Sequence, residues 1–481
     1  MNNIAFIFNS TKIQLYLYNC VVAIQEQFEG VSIDIYIDSS ITCKPISFNN
    51  FINLIDSKFS NFKQNPTQII DLKNLKKINF INDLDASKTY DWIVLENENY
   101  NFNKCKIESI NGFLTLDSNL EIIKQQVLLG DQFGLNILYK KIKSGLWQGY
   151  YETMKCENGF QNTIFKYLFN YQIYLVQLLK NESFEINLHD YEVVNSPKLN
   201  SVKKYNYYFK LVTKILTRKL FPKKLNWKIA IKQSDKTHFL KQPSNSYWAD
   251  PFLIKKDNQT AVFFEELNSN NKGIIACATL NENFEILNKK IILDKDYHLS
   301  FPNVFEHLDK IFMIPESIAN NSLDIYECMN FPFEWTFHST LIKNIKLVDA
   351  VFIFHDDKYW LFANKVHDFE HGNNEKLFLY YSDDLLHDTW TPHVQNPIIT
   401  DARLARNAGS IYSKNNKLYR VSQNCFYEYG GNIVVSEIVK LSTTIYEEIK
   451  TEEMFAPENY IGMHTMNFND DLTVVDYLSE N

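Results

Sequence analysis

The sequence predicts two domains of different class, an α/β domain followed by an all-β domain built as a five-bladed propeller. Within residues 3–38 an apolar strand, a helical pattern and a second apolar strand follow one another, which is typical of a βαβ unit. After residue 246, short apolar segments alternate with polar turns, and similar residues recur about every 50 positions. A chain of 481 residues has the length of two or three domains.

The composition is that of an ordinary globular protein. Hydrophobic residues make up 45% and charged residues 22%, and a net charge of −8 gives no electrostatic reason to bind nucleic acid. The seven cysteines form no C-x-x-C pair, which favours a reducing compartment and argues against a zinc site. The N-terminus lacks the pattern of a signal peptide, and no apolar run approaches the ~18 residues of a membrane span. We therefore expect a cytoplasmic protein, and no motif specifies a metal.

We place the first domain at residues 1–197. Its first turn reads Asn9-Ser10-Thr11 and lacks the glycine-rich fingerprint of dinucleotide sites, so the sequence does not require a nucleotide there. Over residues 144–194 a loop, a helical run and an alternating segment follow in an order that resembles the second half of the formyltransferase fold, a Rossmann-type domain. Active formyltransferases carry a catalytic histidine in that loop, whereas Gly149–Thr153 contains none. The resemblance implies an inherited formyltransferase-like fold without formyl transfer.

Residues 198–240 are predicted to form a basic helical linker that ends the first domain. Lysines and arginines are frequent between residues 203 and 228, an apolar stripe runs along the predicted helix, and Pro222 ends it. Such a segment can contact anionic lipid at the inner membrane surface or a phosphate-bearing acceptor. A solvated helix packed on the first domain is the alternative.

Residues 241–481 are predicted to form the propeller, with one four-stranded blade in each repeat. The repeats align at the following positions: Asp250, Pro302, Asp349, Ala408 and Met463. The innermost strand of every blade starts at the same end of the central channel, so residues at these starts and at the ends of the second strands converge on one pocket. A β-sandwich of unrelated hairpins would not place similar residues at similar offsets.

Three carboxylates are the predicted catalytic residues. Sugar transfer and glycoside hydrolysis both need a base for the attacking hydroxyl and an acid for the departing group. We assign Asp250 as the base, Glu316 as the acid and Asp349 as the residue that adjusts the pKa. Aspartates that merely cap turns are the alternative interpretation.

Further residues are predicted to bind the substrate. Strand alternation lets only one of Glu265 and Glu266 face the channel, and we choose Glu266. Arginines suit a phosphate-bearing ligand because the guanidinium group binds oxyanions in a bidentate manner, although they can instead pair with Asp401 and neighbouring glutamates. The predicted substrate-binding set is Trp248, Glu266, His298, Arg403, Arg406, Arg420, Gln423 and His464.

Two resemblances bear on function. The three carboxylates in successive blades resemble those of the five-bladed arabinanase and xylosidase clan. The segments YWADPF, FFEE, HLSFPNVF, LVDAVF, RNAGSIY and LYRVSQN, with others between 246 and 450, resemble the propeller domain found at the N-terminus of plant glucosamine inositolphosphorylceramide transferases. This resemblance implies surface-glycan or glycolipid biosynthesis.

Three functions follow as hypotheses. The first is a glycosyltransferase-like enzyme of surface polysaccharide or glycoconjugate synthesis that uses an activated, phosphate-bearing donor such as a nucleotide sugar and a glycan or lipid-linked acceptor. The alternatives are a glycoside hydrolase and a non-catalytic glycan-binding protein. In the last case the following residues would be stacking platforms: Trp248, Trp335, Trp360 and Trp390. The sequence indicates no oligomeric state.

Overall fold

The chain forms two compact units, Met1–Thr217 and Arg218–Asp368 together with Gly372–Asn481. The computed structural model describes residues 1–28, 30–41, 65–81, 88–98, 100–102, 108–116, 133–143, 145–154, 160–180, 189–190, 206, 209–210, 213, 225–234, 236–243, 246–366, 374–386, 390–426, 429–469 and 471–480. Each unit has a hydrophobic core of its own.

The first unit is built on a mixed eight-stranded sheet. Its strands are β1 (Asn3–Phe8), β2 (Lys12–Gln14), β3 (Ser32–Ile37), β4 (Ile69–Asp71), β5 (Asn79–Ile81), β6 (Thr89–Leu95), β7 (Glu108–Leu116), β8 (Phe133–Lys140), β9 (Gln148–Met154) and β10 (His189–Asp190), and its helices are α1 (Leu15–Gln27) and α2 (Phe160–Lys180). The sheet order is β10-β9-β8-β7-β6-β1-β3-β5, and β2 pairs separately with β4. Strands β1 and β3 are parallel neighbours joined through α1, which confirms the predicted βαβ unit.

Helix α2 extends beyond its predicted end. The letters from Tyr171 onward predict the start of the alternating segment, but the structure continues the helix to Lys180. The same letters also fit helical spacing, because Tyr171, Tyr174, Leu175 and Leu178 fall on one face and are all buried. The ring of Tyr171 packs 6.3 Å from Tyr16 of α1, so tertiary packing decides between the two patterns.

The segment predicted as the formyltransferase-like loop is not a loop. Gly149–Thr153 lies within β9, which pairs antiparallel with β8. The later predicted turn at residues 181–183 and most of the basic segment 203–228 lie outside the described residues. Among the helices that the structure describes, none combines the length and the apolar character needed to cross a membrane.

The second unit consists of five β-sheets in chain order, which confirms the five-bladed propeller. Blade one contains β13 (Trp248–Lys256), β14 (Gln259–Leu267), β15 (Gly273–Leu280) and β16 (Ile286–Leu293); blade two contains β17 (Ser300–His307), β18 (Lys310–Glu316), β19 (Ser322–Asn330) and β20 (Glu334–Lys343). Blade three contains β21 (Leu347–His355), β22 (Lys358–Lys365), β23 (Phe378–Ser382) and β24 (Thr391–Pro392); blade four contains β25 (Arg406–Asn407), β26 (Tyr412–Lys414), β27 (Lys417–Asn424), β28 (Asn432–Leu441) and β29 (Tyr446–Met454).

Blade five is assembled from both ends of the propeller. Its inner strands are β30 (Met466–Asn469) and β31 (Leu472–Glu480), and its outer strands are β11 (Leu225–Gln233) and β12 (Lys236–Phe239). Strand β11 pairs antiparallel with β31 along its whole length, from Leu225 opposite Glu480 to Gln233 opposite Leu472. The last part of the predicted helical linker is therefore sheet, and it closes the ring of blades by hydrogen bonds between the two ends.

Tight turns between the first two strands of blades one to four follow one rule. In each turn both central residues have positive φ, between +48° and +62°, which is the geometry of a type I′ hairpin. The pairs are Asp257-Asn258, Leu308-Asp309, Asp356-Asp357 and Asn415-Asn416. Asn and Asp tolerate this conformation better than other non-glycine residues, which explains why the repeat places them there.

Candidate active site at the strand starts of the propeller

Bulges at the start of three inner strands aim side chains at the channel. Pairing with the next strand shifts between Ala249 and Phe252 in β13 and at the equivalent places in β17 and β21. The bulged residues Asp250, Phe301 and Asp349 have φ of +54°, +43° and +47°. Phe301, rather than the predicted Pro302, is thus the counterpart of Asp250 in blade two. Positive φ at non-glycine residues stores strain and is concentrated at functional sites.

Asp250 belongs to a buried ion-pair network with His464 and Asp476. The Nε2 atom of His464 lies 3.0 Å from Oδ1 of Asp250, and its Nδ1 atom lies 2.8 Å from Oδ2 of Asp476. Burial alone would lower the pKa of His464, but the two carboxylates outweigh burial and raise this pKa to about 10. Burial would raise the pKa of Asp250, yet His464 and the hydroxyl of Thr465 lower it. His464 is therefore an imidazolium and Asp250 a carboxylate at neutral pH.

The same trio brings possible metal-ligand atoms within 4.8 Å of one another. Metal binding requires a neutral imidazole that offers a lone pair. Here each ring nitrogen of His464 lies within 3.0 Å of a carboxylate oxygen, although the contact of Nδ1 with Asp476 lacks hydrogen-bond geometry, and the two carboxylates raise the pKa of the imidazole. The geometry fits a salt-bridge network better than a metal site.

Glu316 and Asp349 form a carboxyl–carboxylate pair beside Arg406. Burial, and next the charge of Asp349, raise the pKa of Glu316 well above its ordinary value, whereas Arg406 acts in the opposite direction. The Nε of Arg406 donates to Oδ2 of Asp349, and its Nη2 lies 3.7 Å from Oε2 of Glu316. The Asp349 N–H donates to Glu316 Oε2 at 3.3 Å. Burial also raises the pKa of Asp349, against the charge of Arg406, which lowers it. The buried Glu316–Asp349 pair therefore favours retention of a proton, with Glu316 raised well above its ordinary value, and all three predicted catalytic residues lie near one another.

Glu265, and not the predicted Glu266, faces this cluster. Glu265 is 6% exposed, accepts a hydrogen bond from His298 and interacts electrostatically with Asp250. Glu266 points to the other face of β14, where it forms an ion pair with Lys289. The bulge decides the difference, because Glu265 pairs with Ala249 just before the bulge, as Glu316 pairs with Ser300 in blade two.

The three predicted arginines all pair with carboxylates of the protein. Arg403 binds neighbouring Asp401 and is 43% exposed in its side chain. Arg420 is fully buried and donates two hydrogen bonds to Glu448, at 2.8 and 2.7 Å. Arg406 alone lies among the site carboxylates. Gln423 lies there too, since its Nε2 donates to the Asn407 carbonyl at 3.0 Å and approaches Oδ2 of Asp349 at 3.4 Å.

The charges of the site leave little room for an anionic ligand. Carboxyl groups outnumber basic groups among the described residues of the site. The carboxyl groups are Asp250, Glu265, Glu316, Asp349 and Asp476, and the basic groups are His298, Arg406 and His464. A phosphate placed among them would face several carboxyl oxygens in a poorly solvated site, which is costly. Neutral, hydroxyl-rich groups fit the cluster better.

The predicted stacking tryptophans pack inside the blades. Trp248 is 1% exposed and lies against Phe264, with ring centroids 4.6 Å apart. Trp360 is likewise buried and donates its indole N–H to the His355 carbonyl. At the site itself the ring of Trp227 stacks on His464 at 3.9 Å, with Tyr429 edge-on to the same imidazole.

Asp476, Thr465 and Trp227 were not predicted as site residues. Asp476 accepts backbone N–H groups from Asp250, His464 and Thr465 at 2.9 to 3.1 Å, so it holds the first and last blades together. A signal for it existed in the sequence. It follows the apolar run of the last repeat, as Glu265 and Glu316 follow the corresponding runs of theirs. Trp227 carried no such signal, because its strand lies outside the five repeats.

Three comparisons relate this chain to known proteins. Glucosamine inositolphosphorylceramide transferase 1 of Arabidopsis thaliana is 36% identical over 212 residues, which is 43% of this chain and 27% of the plant protein. The chain therefore spans about a quarter of the length of that relative. A family 117 glycoside hydrolase of Zobellia galactanivorans is 9% identical with a TM-score of 0.37, covering 53% of this chain and 91% of that one. The α-L-arabinanase of Cellvibrio cellulosa is 10% identical with a TM-score of 0.32, covering 42% and 77%.

One family matches residues 227–467, half of the chain, and it is described as glucosamine inositolphosphorylceramide transferase 1, N-terminal. The matched range begins inside β11 and ends inside β30. It contains the carboxylates of the site except Asp476. The chain therefore belongs to the glucosamine inositolphosphorylceramide transferase 1, N-terminal family.

Proposed function

We propose that this chain is a glycan-modifying transferase of surface polysaccharide or glycoconjugate synthesis, and that the propeller carries its sugar site. The observation that carries the proposal is one buried cluster in which Glu316 lies beside Asp349 and Arg406 and Asp250 lies beside His464, so that the pKa of Glu316 is raised while that of Asp250 is lowered. A site that holds one acid and one base in separate protonation states is equipped for acid–base chemistry at an acetal carbon. The plant relative, named as a transferase, supports transfer rather than another reaction.

Each carboxylate has a defined task in this mechanism. Oδ1 of Asp250 is occupied by His464 and Thr465, whereas Oδ2 accepts, from the described residues, the Phe301 N–H at 3.2 Å and keeps a lone pair. That lone pair takes the proton of the acceptor hydroxyl as its oxygen bonds to the anomeric carbon. The bond from this carbon to the leaving oxygen breaks, and Glu316 donates its proton to that oxygen. Asp349 and Arg406 set the pKa of Glu316 for this step.

We also propose a class of donor and a class of acceptor for this reaction. An activated, phosphate-bearing donor such as a nucleotide sugar would place its sugar among the carboxyl groups and its phosphate outside them, because carboxyl groups outnumber basic groups in the cluster. The acceptor is a glycan or lipid-linked glycan, for which the inositolphosphorylceramide in the relative's name is the first choice to test.

The first unit and the linker complete the proposal. We infer that the first unit is a degenerate formyltransferase-like domain that binds the donor nucleotide or holds the acceptor, on the strength of its βαβ unit followed by antiparallel strands. The basic character of residues 203–228 supports peripheral contact with anionic lipid at the inner surface of a membrane. A cytoplasmic location stays a prediction.

Hydrolysis is the second candidate, because the same acid and base can activate water instead of an acceptor hydroxyl. The full chain should be incubated with nucleotide sugars and inositolphosphorylceramide, and separately with aryl glycosides. Donor-dependent glycolipid supports transfer, whereas free monosaccharide from the glycosides supports hydrolysis. Sugar binding without either product would identify a glycan-binding protein.

Two substitutions test the assigned roles. Asp250→Asn and Glu316→Gln should each lower turnover about a hundredfold or more, since each removes a proton-transfer group. Asp383→Asn is the matched control, because Asp383 is exposed in the bend after β23 and forms an ion pair with Lys358. Unchanged turnover in a folded Asp250→Asn or Glu316→Gln variant would remove that residue from the chemistry.

A further inference from the structure

Glu265 has one carboxylate oxygen in use and one that is available. Oε1 receives the hydrogen bond from His298, with Nε2 at 3.1 Å. Oε2 has no hydrogen-bond partner among the described residues. It is also not fully enclosed by protein atoms. A buried side chain with one oxygen fixed and the other accessible is arranged to receive a donor from a ligand.

His298 is itself fixed, by the backbone of Gly273. The Gly273 N–H donates to Nδ1 of His298 at 2.9 Å, so Nδ1 offers its lone pair and the single proton of the neutral ring sits on Nε2. This is the tautomer that can donate to Glu265. The chain of contacts runs from a backbone amide through the imidazole to the carboxylate, and it sets the direction in which Oε2 points.

Gly273 is the residue that permits this arrangement. A Cβ added there would lie 2.3 Å from the Leu299 carbonyl oxygen and 2.7 Å from two atoms of the His298 ring. The Leu299 N–H donates to the Gly273 carbonyl at 3.0 Å, so the two segments lie directly against each other. Any larger residue would displace His298 from Glu265.

We propose that Glu265 contacts the ligand, with Oε2 accepting hydrogen bonds from sugar hydroxyls, and that His298 is the positioning residue that holds it. The inference rests on the proposed function, because it names how that same site recognises its sugar. A carboxyl oxygen with a free lone pair accepts hydrogen bonds, and a sugar hydroxyl can donate one without bringing a charge into the site. Asp250 interacts electrostatically with Glu265, so the contact places the sugar beside the proposed base.

Kinetics of the full chain test the contact. With nucleotide sugars and inositolphosphorylceramide, Glu265→Gln should raise KM by about tenfold to a hundredfold, the usual effect of losing a hydrogen bond to a charged group. His298→Ala should raise KM by a similar factor, although His298 itself does not contact the ligand. His298→Gln should stay near the wild-type value, because a Gln amide can still donate to Oε1. Glu266→Gln, on the opposite face of β14, should leave the kinetics unchanged.

A titration supplies a readout that is independent of turnover. Glu265 raises the pKa of His298, with Asp250 acting in the same direction, so NMR of the His298 ring should show a lower pKa in Glu265→Gln than in wild type. His464 and Tyr247 also face Glu265 and stay unchanged in this comparison. Gly273→Ala should abolish the difference, because it displaces the ring.

The outcomes separate the two claims. An active wild type with an unchanged KM in Glu265→Gln overturns the hydroxyl contact and leaves the proposed function standing. An unchanged KM in His298→Ala, or an unchanged His298 pKa in Glu265→Gln, overturns the positioning role. A wild-type chain that neither transfers nor binds sugar removes the proposed function and the hydroxyl contact together. The titration would still test whether His298 is bound to Glu265.

Discussion

Replacing His464 by Gln should destabilise the propeller strongly and should do so in a pH-dependent manner. His464 lies between Asp250 and Asp476 with only 3% of its side chain exposed. Gln has similar length but no charge, so the substitution leaves two buried carboxylates without their cation. Breaking a buried pair in this way typically costs about 3 to 5 kcal/mol.

The pKa of His464 gives a second measure of the same effect. The folded pKa is about 10 and the ordinary value is 6.5. Because the folded value is raised, the stabilisation is fully present below pH 6.5 and is lost as the pH rises toward 10. At pH 7 it amounts to about 4 kcal/mol, since one pKa unit corresponds to about 1.4 kcal/mol. The cost of breaking a buried ion pair and the value from the pKa of His464 therefore agree.

Urea unfolding of the full chain, followed by tryptophan fluorescence at pH 6 and pH 9, measures this effect. The wild-type unfolding free energy should fall between these pH values, whereas His464→Gln should start about 4 kcal/mol lower and lack that fall. His338→Gln is the matched control, because His338 is exposed, bonds to neighbouring Ser339 and lies edge-on to Phe312, with no carboxylate among these contacts. A His464→Gln variant within about 0.5 kcal/mol of wild type, or with the wild-type pH dependence, would refute the imidazolium network.

One further substitution and one truncation give two more predictions. Asp349→Asn removes a negative charge that raises the pKa of Glu316 and leaves Arg406 to lower that pKa. The alkaline limb of the pH–rate profile should therefore move to lower pH. A limb that stays in place would contradict the assignment of Glu316 as the acid. A fragment that begins before β11 should fold as a propeller, whereas one that begins after β12 should not, because blade five would lack its two outer strands. Circular dichroism and gel filtration would show the difference. Equal folding of both fragments would contradict the closure of the propeller by β11 and β31.

The blade count could be read from local sequence because each repeat is specified by its own turn. Pairs such as Asp356-Asp357 and Asn415-Asn416 adopt the left-handed conformation that a two-residue hairpin needs, and residue type alone favours it. The outer strands of blade five, β11 and β12, escaped prediction because β11 pairs with β31, about 240 positions away in the sequence. Nothing local distinguishes a strand that pairs across such a separation from a polar linker.

The choice between Glu265 and Glu266 shows a second limit. Both residues end the same apolar run, and a one-residue change of register exchanges their faces. Alternation shows that only one of them can face the channel, but it does not say which. The pairing of Glu265 with Ala249, immediately before the bulge, decides it.

The sequence by itself determined the order of domains, the five blades and the positions of Asp250, Glu316 and Asp349 at strand ends, because turns and strand alternation are local properties. Only the tertiary structure decided which charges meet. It placed His464 between two carboxylates, set Glu316 beside Asp349 and Arg406, and bound Arg420 to Glu448 away from the site. The protonation state of each group depends on burial and on distances of a few ångströms, and both arise when blades far apart in sequence close around one channel.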